Sequence, residues 1–360
     1  MRILLASAYN FPGGITRWTE HILNYSTSDD SVQIDLLKGP TPLFKSFNNK
    51  NVLRRIIQGI YYYLGYIINE QKELKHQQYD VLHICTSAQY ALIKDYLMIV
   101  IARHYHVKTI VHFRFGRIPE LLKSNNWESW LLRKVARKAD FLIPIDRMSY
   151  ESLLVNGFTN VENVPNPISP EVLSIIESSA IIKENRYVLF VGQCYKAKGI
   201  FELIDACKTI DDIKVRFIGS ISEETKKEMK KRIPENSKME IIGEMPYNDV
   251  IKEMLKCNVF VLPTYTEGFP NVILESMACG CPIVTTNVGA IPEMLDIENG
   301  NNYGICVKPQ EIEELNKAIR KMLDDREFAL RCGENAQKRV NELYSMPAVW
   351  GQLKHIWKNI

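Results

Sequence analysis

Residues 264–289 read TYTEGFPNVILESMACGCPIVTTNVG, and this stretch decides how the second half of the chain folds. The apolar run Val259–Leu262 ends just before it, and a short apolar run bounded by proline is typical of a buried parallel strand. A helix follows, because Pro270 suits a first helical turn and Gly280 supplies a left-handed cap. Residues 282–286 predict the next buried strand.

The loop between this strand and this helix is a candidate binding site. In a parallel α/β sheet such a loop lies at the carboxyl edge, where open sheets bind ligands. Free backbone N–H groups and the helix dipole favour an anionic or hydroxyl-rich ligand there. The loop consists of Glu267, Gly268, Phe269, Pro270 and Asn271.

Two glutamates frame the loop, Glu267 before the helix and Glu275 inside it, with seven residues between them. Taken alone, the pair fits a helix cap and a solvated helix face. The intact run EGFPNVILESMACGCPIV instead resembles the E-x7-E motif of family 4 glycosyltransferases, which are retaining enzymes of the GT-B fold. The resemblance implies that Glu275 holds the ribose hydroxyls of a nucleotide-sugar, since one carboxylate can accept both donors of a cis-diol.

The same resemblance assigns roles to the rest of the loop. It places Glu267 beside the donor sugar, as a catalytic residue. It also implies that the backbone after Glu267 contacts sugar hydroxyls and phosphate. The residues concerned are Gly268, Phe269, Pro270 and Asn271.

A second segment, residues 192–199, resembles the family's Gly-Arg…Lys-Gly diphosphate clamp. The resemblance implies that Gly192 and Lys198 bind the donor and that Lys198 neutralises the departing phosphate. Gln193 stands where the family has arginine, and an amide offers weaker donors and no charge. Arg17 and Arg114 are candidate replacements. Gly243, like Gly219, ends a strand where the family seats base and ribose.

The first half of the chain adds candidates at two strand ends. Gly13 and Gly14 follow the first predicted strand and match the family's glycine loop, which faces the donor phosphates. His112 and Arg114 lie at a later strand end, and the family's sugar-contacting histidine falls on Arg114. Either His112 serves as the catalytic contact, or Arg114 places a charge where diphosphate or acceptor binds. A packed strand histidine is the plain alternative for His112.

Composition and charge limit the partners. The chain has 360 residues and 46% hydrophobic content, which predicts a two-domain globular enzyme. Residues 1–168 carry 20 basic and 14 acidic side chains, and the remainder carries 25 and 28, so different partners are expected for the two halves. No nucleic-acid module is recognisable. No leader peptide is evident, so we expect a cytoplasmic protein, and its eight cysteines are expected to pack rather than form disulfides.

The basic, aromatic stretch Trp127–Lys138 has two interpretations. In the first it is an amphipathic helix that covers a sheet, with Trp127, Trp130, Leu131 and Val135 on one apolar face. In the second it is a membrane-surface patch, because basic residues attract anionic lipid and tryptophan settles at the interface. Arg54, Arg55 and the tyrosines after them strengthen the second. The tract over 56–68 is too short to span a bilayer.

Regular alternation of strands and helices predicts an α/β fold with two doubly wound parallel sheets. The resemblance makes this GT-B, with two Rossmann-like domains facing across a cleft. We expect an acceptor-binding domain over 1–168 and a nucleotide-sugar-binding domain over 169–345, with a hinge near Pro167. The terminal helix, 346–360, is expected to return to the first domain.

The resemblance implies a retaining, hexose-type transferase that works at the inner face of the membrane or in the cytoplasm. Its expected partners are a nucleotide-diphosphate sugar, with UDP favoured over GDP, and a glycan or lipid-linked acceptor in surface polysaccharide synthesis. No Asp-x-Asp motif occurs, so neither a metal nor another cofactor is expected. A non-catalytic nucleotide-binding subunit and a sugar-nucleotide epimerase or hydrolase remain alternatives.

Overall fold

The computed structural model describes residues 1–9, 13–40, 52–301 and 303–360. Residues 10–12, 41–51 and 302 lie outside the described part, as do the side chains of Arg55, cited above for the membrane-surface patch, and Ile56, which begins the 56–68 tract. The chain divides into two compact units. The first comprises Met1–Pro165 together with Trp350–Ile360, and the second comprises Asn166–Val349.

The first unit is built on a five-stranded parallel sheet in the order β2-β1-β3-β4-β5. Four of its strands are largely buried, which explains their near-continuous apolar sequences, whereas the edge strand β2 is more exposed. The strands are β1 (Arg2–Ala6), β2 (Gln33–Leu36), β3 (Val81–Thr86), β4 (Lys108–Phe113) and β5 (Phe141–Pro144). The helices are α1 (Gly14–Ser26), α2 (Val52–His76), α3 (Ala91–His104), α4 (Ile118–Lys123), α5 (Trp127–Lys138) and α6 (Arg147–Val155).

The second unit is built on a six-stranded parallel sheet in the order β11-β10-β9-β6-β7-β8. The strands are β6 (Tyr187–Val191), β7 (Lys214–Ile218), β8 (Lys238–Gly243), β9 (Val259–Leu262), β10 (Ile283–Thr286) and β11 (Ile305–Val307). The helices are α7 (Pro170–Ser178), α8 (Ile200–Cys207), α9 (Glu223–Arg232), α10 (Tyr247–Lys256), α11 (Asn271–Ala278), α12 (Ile291–Met294), α13 (Ile312–Asp324) and α14 (Arg326–Arg339). The predicted pair of doubly wound parallel sheets is confirmed.

Strand order decides where a ligand can bind in the second unit. The chain leaves β6 toward β7 and β8 on one side, and it returns to β9 on the other side of β6. The carboxyl ends of β6 and β9 therefore form the switch point of the sheet, and the loops that follow them separate into a crevice. Those loops are the two segments that the sequence singled out, 192–199 and 263–270.

The last helix, α15 (Met346–Asn359), carries an apolar face that is buried in the first unit from Trp350 onward. The Trp350 indole N–H donates to Asp29 Oδ2 at 2.8 Å, and Lys354 Nζ donates to the same oxygen at 2.6 Å. These two donors, with Ser31, hold the pKa of the Asp29 carboxyl well below its usual range. The chain terminus is thus anchored to the first unit by both apolar and charged contacts.

Helix α5 corrects one sequence interpretation. Leu131 and Val135 are buried as predicted, but Trp127 and Trp130 are 50% and 60% exposed. The spacing rule groups residues three or four apart, yet the buried face, against which α3 and α4 pack, is centred elsewhere and is completed by Glu128, Ser129, Leu132 and Ala136. A single apolar face containing both tryptophans is therefore wrong.

Two general features follow from the described residues. All eight cysteines are free thiols, and seven of them are buried. Within the described ranges, no helix combines the length and the apolar content needed to cross a bilayer.

The close approach of Gly199 to Pro263 gives a stability prediction. Gly199 has φ +72°, and a Cβ there would lie 2.0 Å from the Pro263 carbonyl oxygen. We expect Gly199→Ala to lower the free energy of unfolding of the second unit by about 2–4 kcal/mol, because it adds a backbone clash to left-handed strain. Urea denaturation checks this.

Gly300→Ala is the matched control in the same unit. Gly300 has φ +76°, and within the described chain an added Cβ would have no contact closer than 4 Å. It should show only the conformational penalty, about 1 kcal/mol. Equal losses in the two variants would contradict the clash as the cause.

Candidate functional site

The two sequence-predicted catalytic residues of the second unit meet at the switch point. Lys198 ends a short 3-10 turn after β6, and its ammonium pairs with the carboxylate of Glu267 in the loop after β9. Both side chains are mostly covered, with 19% and 13% of their areas exposed. The Tyr265 N–H donates to the Ala197 carbonyl at 2.9 Å and ties the turn to the loop. A desolvated ion pair is thereby fixed at the carboxyl edge of the sheet.

A third loop, after β10, holds the glutamate loop from its other side. The Ala290 N–H donates to the Gly268 carbonyl at 2.9 Å. Gly289 has φ +56°, and a Cβ there would lie 2.3 Å from the Glu267 carbonyl oxygen. The sequence analysis missed Gly289, although a glycine just after a buried strand at this edge was an available signal.

The rest of the glutamate loop leads into α11. Phe269 is buried with its ring 5.8 Å from that of Tyr344, and Pro270 is buried beside it. The Asn271 side-chain oxygen accepts from the Asn166 amide at 2.9 Å. Among the described residues, no acceptor is recorded for the backbone N–H groups of Gly268, Phe269 and Asn271. They lie at a helix N-terminus, which suits the anionic or hydroxyl-rich ligand that the sequence predicts.

Glu275 lies in the second turn of α11 and is 9% exposed. Its Oε1 accepts a hydrogen bond from the Tyr247 hydroxyl at 2.7 Å. Tyr247 is the first residue of α10, so this bond joins the N-terminal parts of α10 and α11. The sequence offered no signal for Tyr247, because a lone tyrosine at a helix start is common.

The glycines predicted to bind the donor cluster at the ends of β6, β7 and β8. The Gly192 N–H donates to the Ile218 carbonyl at 2.9 Å, and the Gly219 N–H donates to Gly243 at 2.8 Å. A Cβ on Gly219, at φ +139°, would lie 2.0 Å from the Gly192 carbonyl oxygen. Gln193 next to them is exposed, and its amide meets no recorded partner in the described chain. A ligand at this edge of the sheet would therefore meet backbone groups rather than charged side chains.

The first unit holds the remaining candidates. Gly13 precedes α1 in extended backbone, and Gly14 is the first residue of that helix; both are exposed. His112 and Arg114 lie together at the end of β4. The second unit thus holds Glu267, Lys198, Glu275 and the strand-end glycines. The first unit holds Gly13, Gly14, His112 and Arg114.

His112 is a fully buried histidine whose two ring nitrogens are both engaged. Its Nδ1 lies 3.2 Å from His83 Nε2, and its Nε2 lies 3.0 Å from Arg114 Nη1. His83 accepts in turn from the Trp357 indole N–H at 3.0 Å. The guanidinium of Arg114 stacks over Trp18 at 4.6 Å and is half-buried. His112 therefore packs in the core and orients Arg114; contact of either residue with a donor sugar stays a prediction.

Burial sets the protonation of this cluster. It lowers the pKa of His83 to about 3 and that of His112 well below its ordinary value, with the positive charge of Arg114 adding to the effect. Burial also lowers the pKa of Arg114 to about 10. At neutral pH both imidazoles are consequently neutral and the guanidinium is charged.

The same cluster brings His83, Cys85 and His112 within 4.8 Å of one another, the spacing of possible metal ligands. Their surroundings do not suit a cation. A metal-binding histidine donates its second N–H to an acceptor, whereas here the outer nitrogens face the indole N–H of Trp357 and the guanidinium. Burial also raises the pKa of the Cys85 thiol to about 11, so the thiolate is disfavoured. We assign no metal to these residues.

The Lys198–Glu267 pair predicts strong coupling between two substitutions. We expect Lys198→Met to lower the free energy of unfolding of the second unit by about 1–3 kcal/mol, because it leaves the mostly covered Glu267 carboxylate unpaired. The double variant Lys198→Met/Glu267→Gln should lose less than the sum of the single losses. Urea denaturation of the four proteins measures this, and strict additivity would show that the pair contributes no coupling.

The buried histidines predict a pH dependence of the first unit. Their folded pKa values lie below the ordinary 6.5, so the unfolded chain binds protons that the folded chain cannot. Stability is therefore complete above pH 6.5 and is lost as pH falls. From about pH 7.5 to about pH 5.5 the two imidazoles contribute a loss of about 2–3 kcal/mol, which we call the histidine slope. Burial raises the pKa of Asp146 to about 6 and that of Glu70 to about 9, and these two carboxyl groups oppose that loss. Hydrogen exchange of β4 amides, after correction for intrinsic rates, measures the sum of these effects.

His112→Gln should remove about half of this slope, because it leaves one of the two buried imidazoles. His104→Gln is the control, since His104 is an exposed histidine of the same unit. An unchanged slope in His112→Gln would contradict the assignment.

Comparison with known proteins shows what the chain is similar to. Residues 173–339 match the family described as "Glycosyl transferases group 1". The capsular polysaccharide biosynthesis glycosyltransferase CapM of Staphylococcus aureus is 30% identical over 182 residues, which are 49% of this chain and 47% of CapM. The chain thus matches about half the length of that relative.

A second relative is aligned over more of its length. It is the N-acetylgalactosamine-N,N'-diacetylbacillosaminyl-diphospho-undecaprenol 4-alpha-N-acetylgalactosaminyltransferase of Campylobacter jejuni, 23% identical over 71% of this chain and 72% of that enzyme. Among solved structures, Anabaena HepE in complex with UDP aligns over 100% of both chains, with a TM-score of 0.72 and 17% identity. The chain has the GT-B fold, and its residues 173–339 are similar to the group 1 glycosyltransferases.

Proposed function

We propose that this protein is a retaining glycosyltransferase that moves a hexose-type sugar from a nucleotide-diphosphate sugar to a glycan or lipid-linked acceptor. One observation carries the proposal: the Lys198–Glu267 ion pair lies at the uncapped N-terminus of α11, with Glu275 one turn further along the same helix. A cation, free backbone donors and a carboxylate are the groups that a diphosphate, a sugar and a ribose require.

The arrangement assigns a role to each group in the reaction. Lys198 and the N–H groups at the start of α11 face the charge that grows on the diphosphate, and they need no reorganisation because the fold already fixes them. The bond from the anomeric carbon to the phosphate oxygen breaks, and its electron pair stays on the phosphate. The acceptor hydroxyl attacks from the same face and passes its proton to that phosphate, so the anomeric configuration is kept.

Glu267 has two roles in this proposal. Before the donor binds, its carboxylate neutralises Lys198 in a mostly covered site, where an unpaired ammonium would be costly. After binding, the diphosphate competes for the ammonium, and the freed carboxylate can accept hydrogen bonds from the sugar hydroxyls. The ion pair is thus replaced by an ammonium–diphosphate contact and by hydrogen bonds from sugar hydroxyls to the carboxylate.

The diphosphate site departs from the family pattern at Gln193. Gln193 supplies no charge, so the loss of the family's arginine weakens phosphate binding by about 1–3 kcal/mol unless another cation substitutes. Arg17 and Arg114, the candidates that the sequence offers for this charge, stay predictions. No metal is required in this scheme.

The relatives suggest the donor and acceptor classes that we propose for this protein. HepE was solved with UDP, and the Campylobacter enzyme is named for a diphospho-undecaprenol-linked acceptor. We propose a UDP-sugar, with GDP-sugar second, and a role in surface polysaccharide synthesis at the cytoplasmic face of the membrane. The uncharged Gln193 favours one competing function, a nucleotide-binding subunit without catalysis.

Calorimetry with UDP, GDP and their sugar conjugates tests the donor site. We expect one nucleotide to bind, and Glu275→Gln to weaken it by about 10- to 100-fold through loss of charge-assisted hydrogen bonds to the ribose. Glu184→Gln is the control, since Glu184 is a surface carboxylate paired with Lys214. Equal affinities in the two variants would remove Glu275 from the site, and no binding even at millimolar concentration would refute a donor site.

Catalysis is tested separately, with the bound sugar-nucleotide and a panel of lipid-linked acceptors, in the presence of a chelator. Donor consumption that requires acceptor supports transfer. Binding without consumption under any condition supports the non-catalytic subunit instead.

A further inference from the structure

One face of the first unit's sheet is covered by a layer of three helices, in which α3 packs against both α2 and α5. Helix α2 exposes an apolar stripe on the side away from the sheet. Ile57, Ile60, Leu64 and Ile68 recur every three or four residues, and Leu64 and Ile68 are 53% and 61% exposed. The helix is therefore apolar on its outer side as well as toward the core.

The stripe continues across the two neighbouring helices. On α3 the exposed side chains are Ile93, Leu97 and Val100, again at helical spacing. On α5 they are the two tryptophans that the sequence analysis had grouped with the core. The Tyr90 ring before α3 stacks on Trp127 with centroids 5.1 Å apart, which joins the two helices at the surface. We call the outward side chains of α2, α3 and α5 the three-helix face.

Charge on the three-helix face has one sign. The carboxylates of these helices are turned inward: Glu70, Asp95 and Glu128 are buried, and Glu73 is half-buried. The exposed charged side chains of the three helices, among those described, are all cationic: Arg54, Lys72, Lys75, Arg103, Lys134 and Arg137. Lys134 Nζ lies 4.9 Å above the Trp130 ring.

An exposed apolar surface of this kind is unfavourable in water unless it binds a partner. Exposed aliphatic side chains on α2 and α3, continued by two exposed tryptophans on α5, mark an interaction site. Two copies of the chain facing each other through it would bring like charges together. An anionic bilayer supplies an apolar interior for the aliphatic side chains, a headgroup layer for the tryptophans and negative charge for the lysines and arginines.

We propose that the three-helix face docks the protein on an anionic lipid bilayer. This inference rests on the proposed function and deepens it. An enzyme docked on the bilayer would reach a lipid-linked acceptor without extracting it from the membrane. The aliphatic row enters the headgroup boundary, and the flanking cations remain at the lipid phosphates.

Vesicle co-sedimentation of the full chain tests the proposal, with phosphatidylglycerol in phosphatidylcholine against phosphatidylcholine alone. We expect binding to the anionic vesicles that weakens with salt. Leu64→Ser/Ile68→Ser should reduce the partition coefficient by about tenfold or more, and Lys134→Glu/Arg137→Glu should do so independently. A blue shift of tryptophan fluorescence on binding, reduced in Trp130→Phe, would place α5 in the interface.

Matched controls lie elsewhere on the surface. Val155→Ser and Ile182→Ser replace side chains that are 86% and 88% exposed, and Lys230→Glu/Lys231→Glu reverses two exposed lysines of α9. These variants should bind vesicles as the unaltered protein does. No vesicle binding, equal losses in the controls, or a dimer in light scattering that Leu64→Ser/Ile68→Ser abolishes would overturn the proposal.

Nucleotide calorimetry on the same variants separates the two proposals. Unchanged nucleotide affinity with lost vesicle binding supports the three-helix face as a docking surface distinct from the donor site. Vesicle binding by a protein that binds no nucleotide would refute the proposed function and leave the docking inference standing.

Discussion

The close backbone contact among three loops is the constraint on which the candidate donor site depends. Pro263 touches Gly199 on one side, and Glu267 touches Gly289 on the other, at distances that exclude a side chain at either glycine. These contacts set the positions of Lys198 and Glu267 to within the reach of an ion pair. A pair of opposite charges can remain in a covered crevice only when its geometry is fixed in this way, because each ion alone would be destabilising there.

The first unit uses burial for a different purpose. Its histidine cluster is neutral, with its ring nitrogens facing the Trp357 indole, each other and the Arg114 guanidinium, and Trp18 packs against His112. The apolar surroundings that suppress protonation also keep the cluster rigid, and rigidity is what the half-buried guanidinium of Arg114 requires if it is to meet a phosphate without reorganising. The chain terminus contributes to this order, since α15 supplies Trp357.

How far the sequence could predict the site depended on the kind of signal. Strands with continuous apolar sequence, such as Val259–Leu262, were placed to the residue because burial on both faces leaves no other solution. Helix α5 was bounded correctly, but its buried face was not, because periodicity gives the spacing of a face and not the direction in which the sheet lies. Tyr247 and His83 escaped prediction because they are distant in sequence from Glu275 and His112, their respective partners, and are of ordinary type.

The amino-acid sequence by itself determined the alternation of strands and helices, the loop that carries Glu267 and the helix that carries Glu275. These are local consequences of apolar runs, prolines and glycines. Only the tertiary structure decided that Lys198 pairs with Glu267, that His112 is enclosed rather than presented at a surface, and that the aliphatic side chains of α2 face outward. The physical reason is that pairing, burial and exposure are set by neighbours brought together from distant parts of the chain, and a pattern along one segment holds no record of them.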